Sequence, residues 1–251
     1  MSIVFILYGN HMTMTISKGP DFKPQSSRGL NGIAMIFDLG GFSMFFNQPD
    51  AHTYIPRYLN HVRHCVETSL LGGDAYWLEN EKPLPPLAIQ PVHRKFLGDG
   101  YLYLWTTQKE AQEFTTDFIS FLCNRLWVIQ KRFDRINRAC SDEVPVYELP
   151  TTIRFGMARG TVYELSMQKT TDREYIGVCI NLASRLQKYC PGLNFLASAR
   201  LGIPEKLLSK HGYIRTVATK IKGFPKEILI VDKNEFGVLP KATKKELFME
   251  F

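Results

Sequence analysis

Asp38 closes an apolar run, Ile33-Ala34-Met35-Ile36-Phe37, and is followed by Leu39, two glycines and Phe42. Asp99 repeats that logic 61 positions later, inside Lys95-Phe96-Leu97-Gly98-Asp99-Gly100. Two aspartates at the mouths of two strands could share a pair of hard cations, because magnesium and manganese favour oxygen ligands and usually take one or two carboxylates plus substrate phosphates. Leu39 could add a backbone carbonyl. Gly40 and Gly41 would let backbone N–H groups come close to a phosphate. A plainer reading stands beside this one: Asp38 caps a turn, and Asp-Gly at 99–100 is an ordinary hairpin signal.

Two further groups could act on a phosphorylated substrate. In Gly177-Val178-Cys179-Ile180-Asn181-Leu182-Ala183-Ser184-Arg185 the amide and the guanidinium are four apart and share one helix face. Such a pair suits a ribose and a phosphate, although a solvated polar stripe has the same pattern. Lys222-Gly223, before the last strand, could reach a phosphate; alone it is a weak signal.

These residues need elements to hold them. Residues 33–37 read as a strand buried on both faces. Residues 54–71 show helical spacing that ends at Gly72-Gly73. Pro83, Pro85 and Pro86 keep residues 74–91 irregular. Residues 92–97 and 101–105 read as a hairpin turned at 98–100. A long helix is expected at about 109–139, with Phe114, Phe118, Leu122 and Ile129 on its inner face. Its outer run Lys131, Arg132, Arg135 and Arg138 reads as a solvated helix end. Residues 152–158 and 161–165 read as a hairpin turned at Arg159-Gly160. A helix over 177–189, a strand at 194–198, a short helix at 204–210 and strands at 214–219 and 227–232 follow. The order predicts an α+β sandwich with helices against a mostly antiparallel sheet.

Bulk properties narrow the function classes. The 251 residues suit one large domain or two small ones, and 45% hydrophobic content is that of a folded chain. A formal charge of +7 favours a polyanion such as a phosphorylated substrate, or reflects a merely basic surface. The five cysteines show no zinc spacing and read as reduced thiols. The apolar run at residues 3–8 reads as an extra strand or an upstream start of no consequence. It is too short to span a bilayer and lacks the basic start of a signal peptide, so a cytoplasmic location is expected. Residues 9–31 read as a loose arm, and the residues from 233 as a charged, frayed tail.

Taken together, the segments at Phe37–Phe42, Lys95–Asp99, Arg154–Gly160, Gly177–Arg185 and Lys222-Gly223 resemble the class III nucleotide cyclases, the superfamily of adenylate and guanylate cyclase catalytic domains. The resemblance implies a ferredoxin-like fold over residues 31–235, between an arm (1–30) and a tail (236–251). It implies that Asp38 and Asp99, with the Leu39 carbonyl, hold two Mn2+ or Mg2+ ions. Asn181 would orient the ribose, and Arg185 would stabilise charge on the α-phosphate. Lys222 would bind the terminal phosphates, beside the Gly40, Gly41 and Phe42 turn. Lys95 and Glu174 match the base-reading positions. The resemblance further implies a head-to-tail homodimer with shared sites, a nucleoside triphosphate substrate, and no nucleic-acid or membrane partner.

Lys95 with Glu174 departs from the pairs usual in adenylate or guanylate cyclases. A lysine only donates and a glutamate only accepts. ATP, UTP and CTP each present an acceptor beside a donor, whereas guanine needs a second acceptor. The chain looks most like the stand-alone pyrimidine cyclases of Pycsar anti-phage systems, which implies cyclic UMP, or cyclic CMP, acting on a separate effector. An adenylate cyclase, an inactive cyclase-homology domain and a polymerase palm are the rival readings.

Overall fold

Alternation along one strand organises the molecule. Ile33, Met35, Phe37 and Leu39 belong to one apolar core, and Ala34 and Ile36 to another, so strand β3 (Leu30–Gly40) is covered on both faces. The computed structural model describes residues 3–8, 11–16, 22–23, 27–78, 82–107, 113–167 and 173–249, the first two segments as backbone only. Strand β3 pairs antiparallel with β5 (Gly100–Thr106) and β6 (Thr152–Ser166), and β4 (His93–Phe96) adds to β5. Beyond β6 lie β8 (Phe195–Ser198), β10 (Glu227–Asp232), β9 (Tyr213–Ala218) and β11 (Phe248–Met249). The β6–β8 pair is parallel and the others are antiparallel. The far end of β6 also pairs with β7 (Arg173–Gly177). Among the described residues this makes a nine-stranded sheet, and β1 (Ile3–Tyr8) with β2 (His11–Ile16) forms a separate two-stranded hairpin.

Helices α2 (Ala51–Leu71), α3 (Thr116–Lys131) and α4 (Phe133–Arg138) cover the Met35 face. Helix α5 (Val178–Tyr189) covers the Ile36 face through Cys179, Leu182, Ala183 and Leu186. It lies almost on the sheet: a Cβ on Gly156 of β6 would stand 2.2 Å from the Ala183 carbonyl oxygen. Short helices complete the chain: α1 (Phe42–Phe46), α6 (Glu205–His211), α7 (Lys233–Val238) and α8 (Lys241–Leu247). No helix of the described residues is long and apolar enough to cross a membrane.

The α+β sandwich expected from the sequence is present, and five local readings change. Residues 152–166 form one continuous strand, because Gly160 pairs with Gly32 of β3 instead of turning the chain. Its hairpin partner is β7, a strand not foreseen, so Glu174 lies on a strand, four positions before α5 begins. The single long helix is two helices, divided at Arg132, whose φ of −116° leaves the helical region; the first begins only at Thr116, capped by the Thr115 side chain, with residues 113–115 outside it, and the expected start at 109 lies outside the described residues. The tail is built in: Phe248 is buried against Tyr189 and Phe236, and its strand extends the sheet beside β9. The loose arm likewise contains β2.

Candidate active site

Cross-strand register brings the first group together. Asp38 stands opposite Gly100 on one side and Arg154 on the other, on the sheet face that α5 covers. Asp99 occupies the turn joining β4 to β5, which the Leu97 N–H closes by donating to the Gly100 carbonyl at 2.9 Å. That turn sits tightly over β3. A Cβ on Gly100 would stand 1.8 Å from the Phe37 carbonyl oxygen, so only glycine lets Asp99 approach Asp38. The two carboxyl groups are within hydrogen-bonding reach of each other.

Asp38 is only 5% exposed, and burial is the main reason its carboxyl is pushed up to about 6. The Asp99 carboxylate raises it further by hydrogen bonding and repulsion, while Arg154 opposes both, its guanidinium donating to Oδ2. A like-charged pair held together in this way binds either a proton or a cation. The donors are hard oxygens, and two carboxylates are what magnesium or manganese commonly takes from a protein when phosphates complete the shell. The residues therefore fit a divalent cation that arrives with its substrate. They do not form a closed metal cage: no group of three or more metal-ligating side chains occurs among the described residues. The Leu39 side chain is buried in the opposite core, which leaves it only a backbone role.

The turn after Asp38 holds the other expected residues. Gly41 adopts φ +89° and opens α1, its carbonyl accepting from the Met44 and Phe45 N–H groups at 3.1 Å. Gly40 faces Thr152 across the β3–β6 pair, where a side chain would collide with the threonine hydroxyl. Phe42 is partly buried against Phe45 and Phe46.

A second group lies on β4 and β7. Lys95 pairs with Leu102 of the Ile36 face, and there its Nζ donates to both Glu174 oxygens, at 2.7 and 2.8 Å. Both side chains remain partly open to water. His93 and Tyr175 pack beside them with ring centroids 5.1 Å apart, and burial lowers the His93 pKa. Lys95 and Glu174, 79 apart in sequence, thus form one donor–acceptor pair.

A third group is carried by the outer face of α5. Asn181 is exposed and Arg185 half-buried. The Arg185 guanidinium donates to the Lys222 carbonyl and lies 5.6 Å from the Phe224 ring centroid. Arg200 lies 5.8 Å from the same centroid and is fixed by two hydrogen bonds to buried Glu227, at 3.0 and 2.8 Å. Phe224 is thereby held, and it holds Arg185. The Lys222 side chain is exposed. Among the described residues no hydrogen bond or ion pair joins Asn181, Arg185 or Lys222 to the aspartates.

Arg154, Phe224 and Arg200 received no role from the sequence. Arg154 had a signal, a lone cation inside an otherwise apolar strand. Phe224 and Arg200 had none, because their value comes from the packing of distant turns.

The arrangement matches known architecture. The chain superimposes on the adenylyl cyclase CyaB from P. aeruginosa with a TM-score of 0.56 at 16% identity, covering 82% of this chain and 96% of that one. A guanylyl cyclase gives 0.55 at 16% identity over 83% and 93%. This chain has the class III nucleotide cyclase fold. A bacterial light-regulated adenylyl cyclase also matches, with a TM-score of 0.52 at 13% identity over 84% of this chain, which spans only 53% of that protein. No family model matches the sequence, and no curated protein matches it. At these identities the likeness carries the fold alone.

Proposed function

We propose that the protein is a nucleotidyl cyclase of residues 31–235 that converts a pyrimidine nucleoside triphosphate, UTP before CTP, to its 3′,5′-cyclic monophosphate and diphosphate. The observation that carries this reading is the pairing of Asp38 with Asp99, together with the Lys95–Glu174 pair between β4 and β7. Asp38 and Asp99 hold the divalent ions, with the Leu39 carbonyl. Bound there, the ions would neutralise the triphosphate and activate the 3′-hydroxyl for in-line attack. Arg154 donates to Asp38 and favours its charged form against burial. Lys95 donates to, and Glu174 accepts from, the edge of the base. Asn181 orients the ribose, Lys222 binds the terminal phosphates, and Arg185 stabilises the charge that builds on the α-phosphate oxygens.

Among the described residues no hydrogen bond or ion pair joins the aspartates to the α5 group, and the reading takes from the resemblance of the sequence a head-to-tail pair of chains, each completing the other's site. Exposed apolar residues suit such a contact: Phe96 and Leu97 beside Asp99, and Ile176 and Val178 beside Glu174. The product would act as a messenger on a separate effector in anti-phage defence, a role that rests on the resemblance of the sequence. An adenylate cyclase is the second reading, favoured by the adenylyl cyclases of the same fold and equally compatible with Lys95–Glu174.

The test is a product assay with ATP, GTP, CTP and UTP, each with manganese, beside Asp38→Ala. A cyclic pyrimidine from the wild type alone supports the proposal. Cyclic AMP would keep the site and replace the base assignment. Product from Asp38→Ala would overturn the metal assignment.

A further inference from the structure

The connection after α2 is dense in proline: Lys82-Pro83-Leu84-Pro85-Pro86-Leu87. A proline fixes its own φ at about −65° and keeps the residue before it out of the helical region. Lys82, Leu84 and Pro85 each precede a proline, so residues 82–86 are confined to extended or polyproline II backbone. A polyproline II helix has about three residues per turn, which puts 84 and 87 on one side. Leu87 is buried and Leu84 packs against the core, while Lys82, Pro83, Pro85 and Pro86 are exposed. The two X-Pro dipeptides, 82–83 and 85–86, therefore stand outward as one ridge.

The ridge is fastened from beneath. Leu84 exchanges both backbone hydrogen bonds with Gly73, at 2.8 and 2.9 Å, and the Leu87 N–H donates to the Leu70 carbonyl at 3.1 Å. Arg125 donates to the Pro85 carbonyl at 3.2 Å. A Cβ on Gly72 would stand 2.6 Å from the Pro86 nitrogen, so the segment lies directly on the end of α2. A polyproline segment held in advance loses little freedom on docking, and the grooves that accept such segments are lined by aromatic rings.

A cleft of that kind opens at the other end of α2. It has a volume of about 490 Å3 and is lined by Pro49, Asp50 and Tyr54, where the helix begins, and by Pro145, Val146 and Tyr147 of the segment after α4. Gln48 ties the two walls together: its side chain donates to the Glu148 carbonyl at 2.6 Å and accepts from the Glu148 N–H at 3.0 Å. Tyr147 is 92% exposed, a ring left in water at the rim. Asp50, at φ +59°, precedes α2 without capping it, so its carboxylate is not spent on the helix.

Ridge and cleft are complementary, with prolines to set against tyrosine rings and the Lys82 ammonium to set against the Asp50 carboxylate. They cannot meet within one chain. Helix α2 has 21 residues, and at about 1.5 Å per residue its ends are about 30 Å apart. Two copies with their α2 helices antiparallel can make the contact twice, once at each end.

We propose that the cleft at the start of α2 takes the proline ridge of a second copy of this chain. The inference is independent of the cyclase reading, and its test involves no turnover.

The test puts the photo-crosslinker p-benzoylphenylalanine in place of Tyr147 in the full chain. Irradiation should give a covalent dimer on a denaturing gel. Mass spectrometry of the linked peptides should place the second copy's end within residues 82–87. Lys82→Glu should cut the yield about fivefold, and adding Asp50→Lys to the same chain should restore it, because reversed charges then face each other. Pro83→Ser, at an exposed position, should also cut the yield. Thermal unfolding midpoints verify that the variants fold. Sodium chloride should lower the yield. No covalent dimer, a linked peptide elsewhere in the chain, a yield unchanged by both folded ridge variants, or no recovery in the folded charge-swapped chain would each overturn the proposal.

Discussion

Replacing Asp38 by asparagine should stabilise the metal-free protein while abolishing turnover. The Asp38 carboxyl is raised from 3.8 to about 6, chiefly by burial and then by Asp99. Between those pH values the folded chain holds a proton that the unfolded chain has released. Stability from this group is therefore greatest at low pH and is lost as pH rises through about 6. The full shift corresponds to about 3 kcal/mol at about 1.36 kcal/mol per unit. Water reaching the turn beside half-buried Asp99 screens part of it, leaving about 1–2 kcal/mol. An asparagine keeps the shape and carries no charge. Urea unfolding in the presence of a chelator, at pH 5 and pH 7.5, reads the effect. The variant should exceed the wild type at pH 7.5, and its advantage should be about 1 kcal/mol smaller at pH 5, where the folded wild type is already mostly protonated. Comparing the two proteins removes the contribution of Glu235, whose pKa is also raised by burial. Manganese should stabilise the wild type and leave the variant unmoved. A variant less stable at pH 7.5, or an advantage independent of pH, would refute the reasoning and show that the Arg154 pair outweighs the cost of burial.

Gly100→Ala should cost about 3 kcal/mol in urea unfolding, because the new methyl meets a backbone oxygen of β3 that cannot rotate away. Arg185→Ala should lower kcat about 100-fold or more with little change in KM, as expected of a group that acts on developing charge. Phe224→Ala should lower kcat about tenfold with Arg185 intact; unchanged steady-state kinetics would deny the ring its positioning role. Glu174→Asp shortens the acceptor that Lys95 now holds, and competition between UTP and ATP should shift by about tenfold; an unchanged ratio would remove Glu174 from base selection.

The central strand was legible because both its faces are buried, so that its apolar run is unbroken and ends at a carboxylate. The helix over 177–189 was legible from its period, and the break at Arg132 was not, since Phe133 and Ile136 continue the apolar face across it. Residues 152–166 misled for a physical reason. Glycine in a strand and glycine in a turn look alike in sequence, and here Gly160 serves close packing beside Val178 and Cys179 of α5. Missing β7 followed from that error, because its partner, residues 162–166, had already been assigned to pair with residues 152–158.

The site was legible as residue types, not as groups. Sequence order sets Lys95 four positions before Asp99, but alternation sends Lys95 to Glu174 on β7 while the turn returns Asp99 to Asp38. The same order puts Arg185 near Glu174, yet the helix carries it to the turn at Lys222. Neighbours in sequence thus serve different parts of one proposed substrate, and each group is fixed by an element the other does not share. That separation has a consequence for regulation. The aspartate turn is completed within the chain by Gly100 and Arg154, and the arginine by Phe224 and Arg200, so each half is held by contacts of its own chain. What a second chain would supply is not the shape of either half but their meeting. Control of activity would then act on association and relative orientation, leaving the stability of each half unchanged.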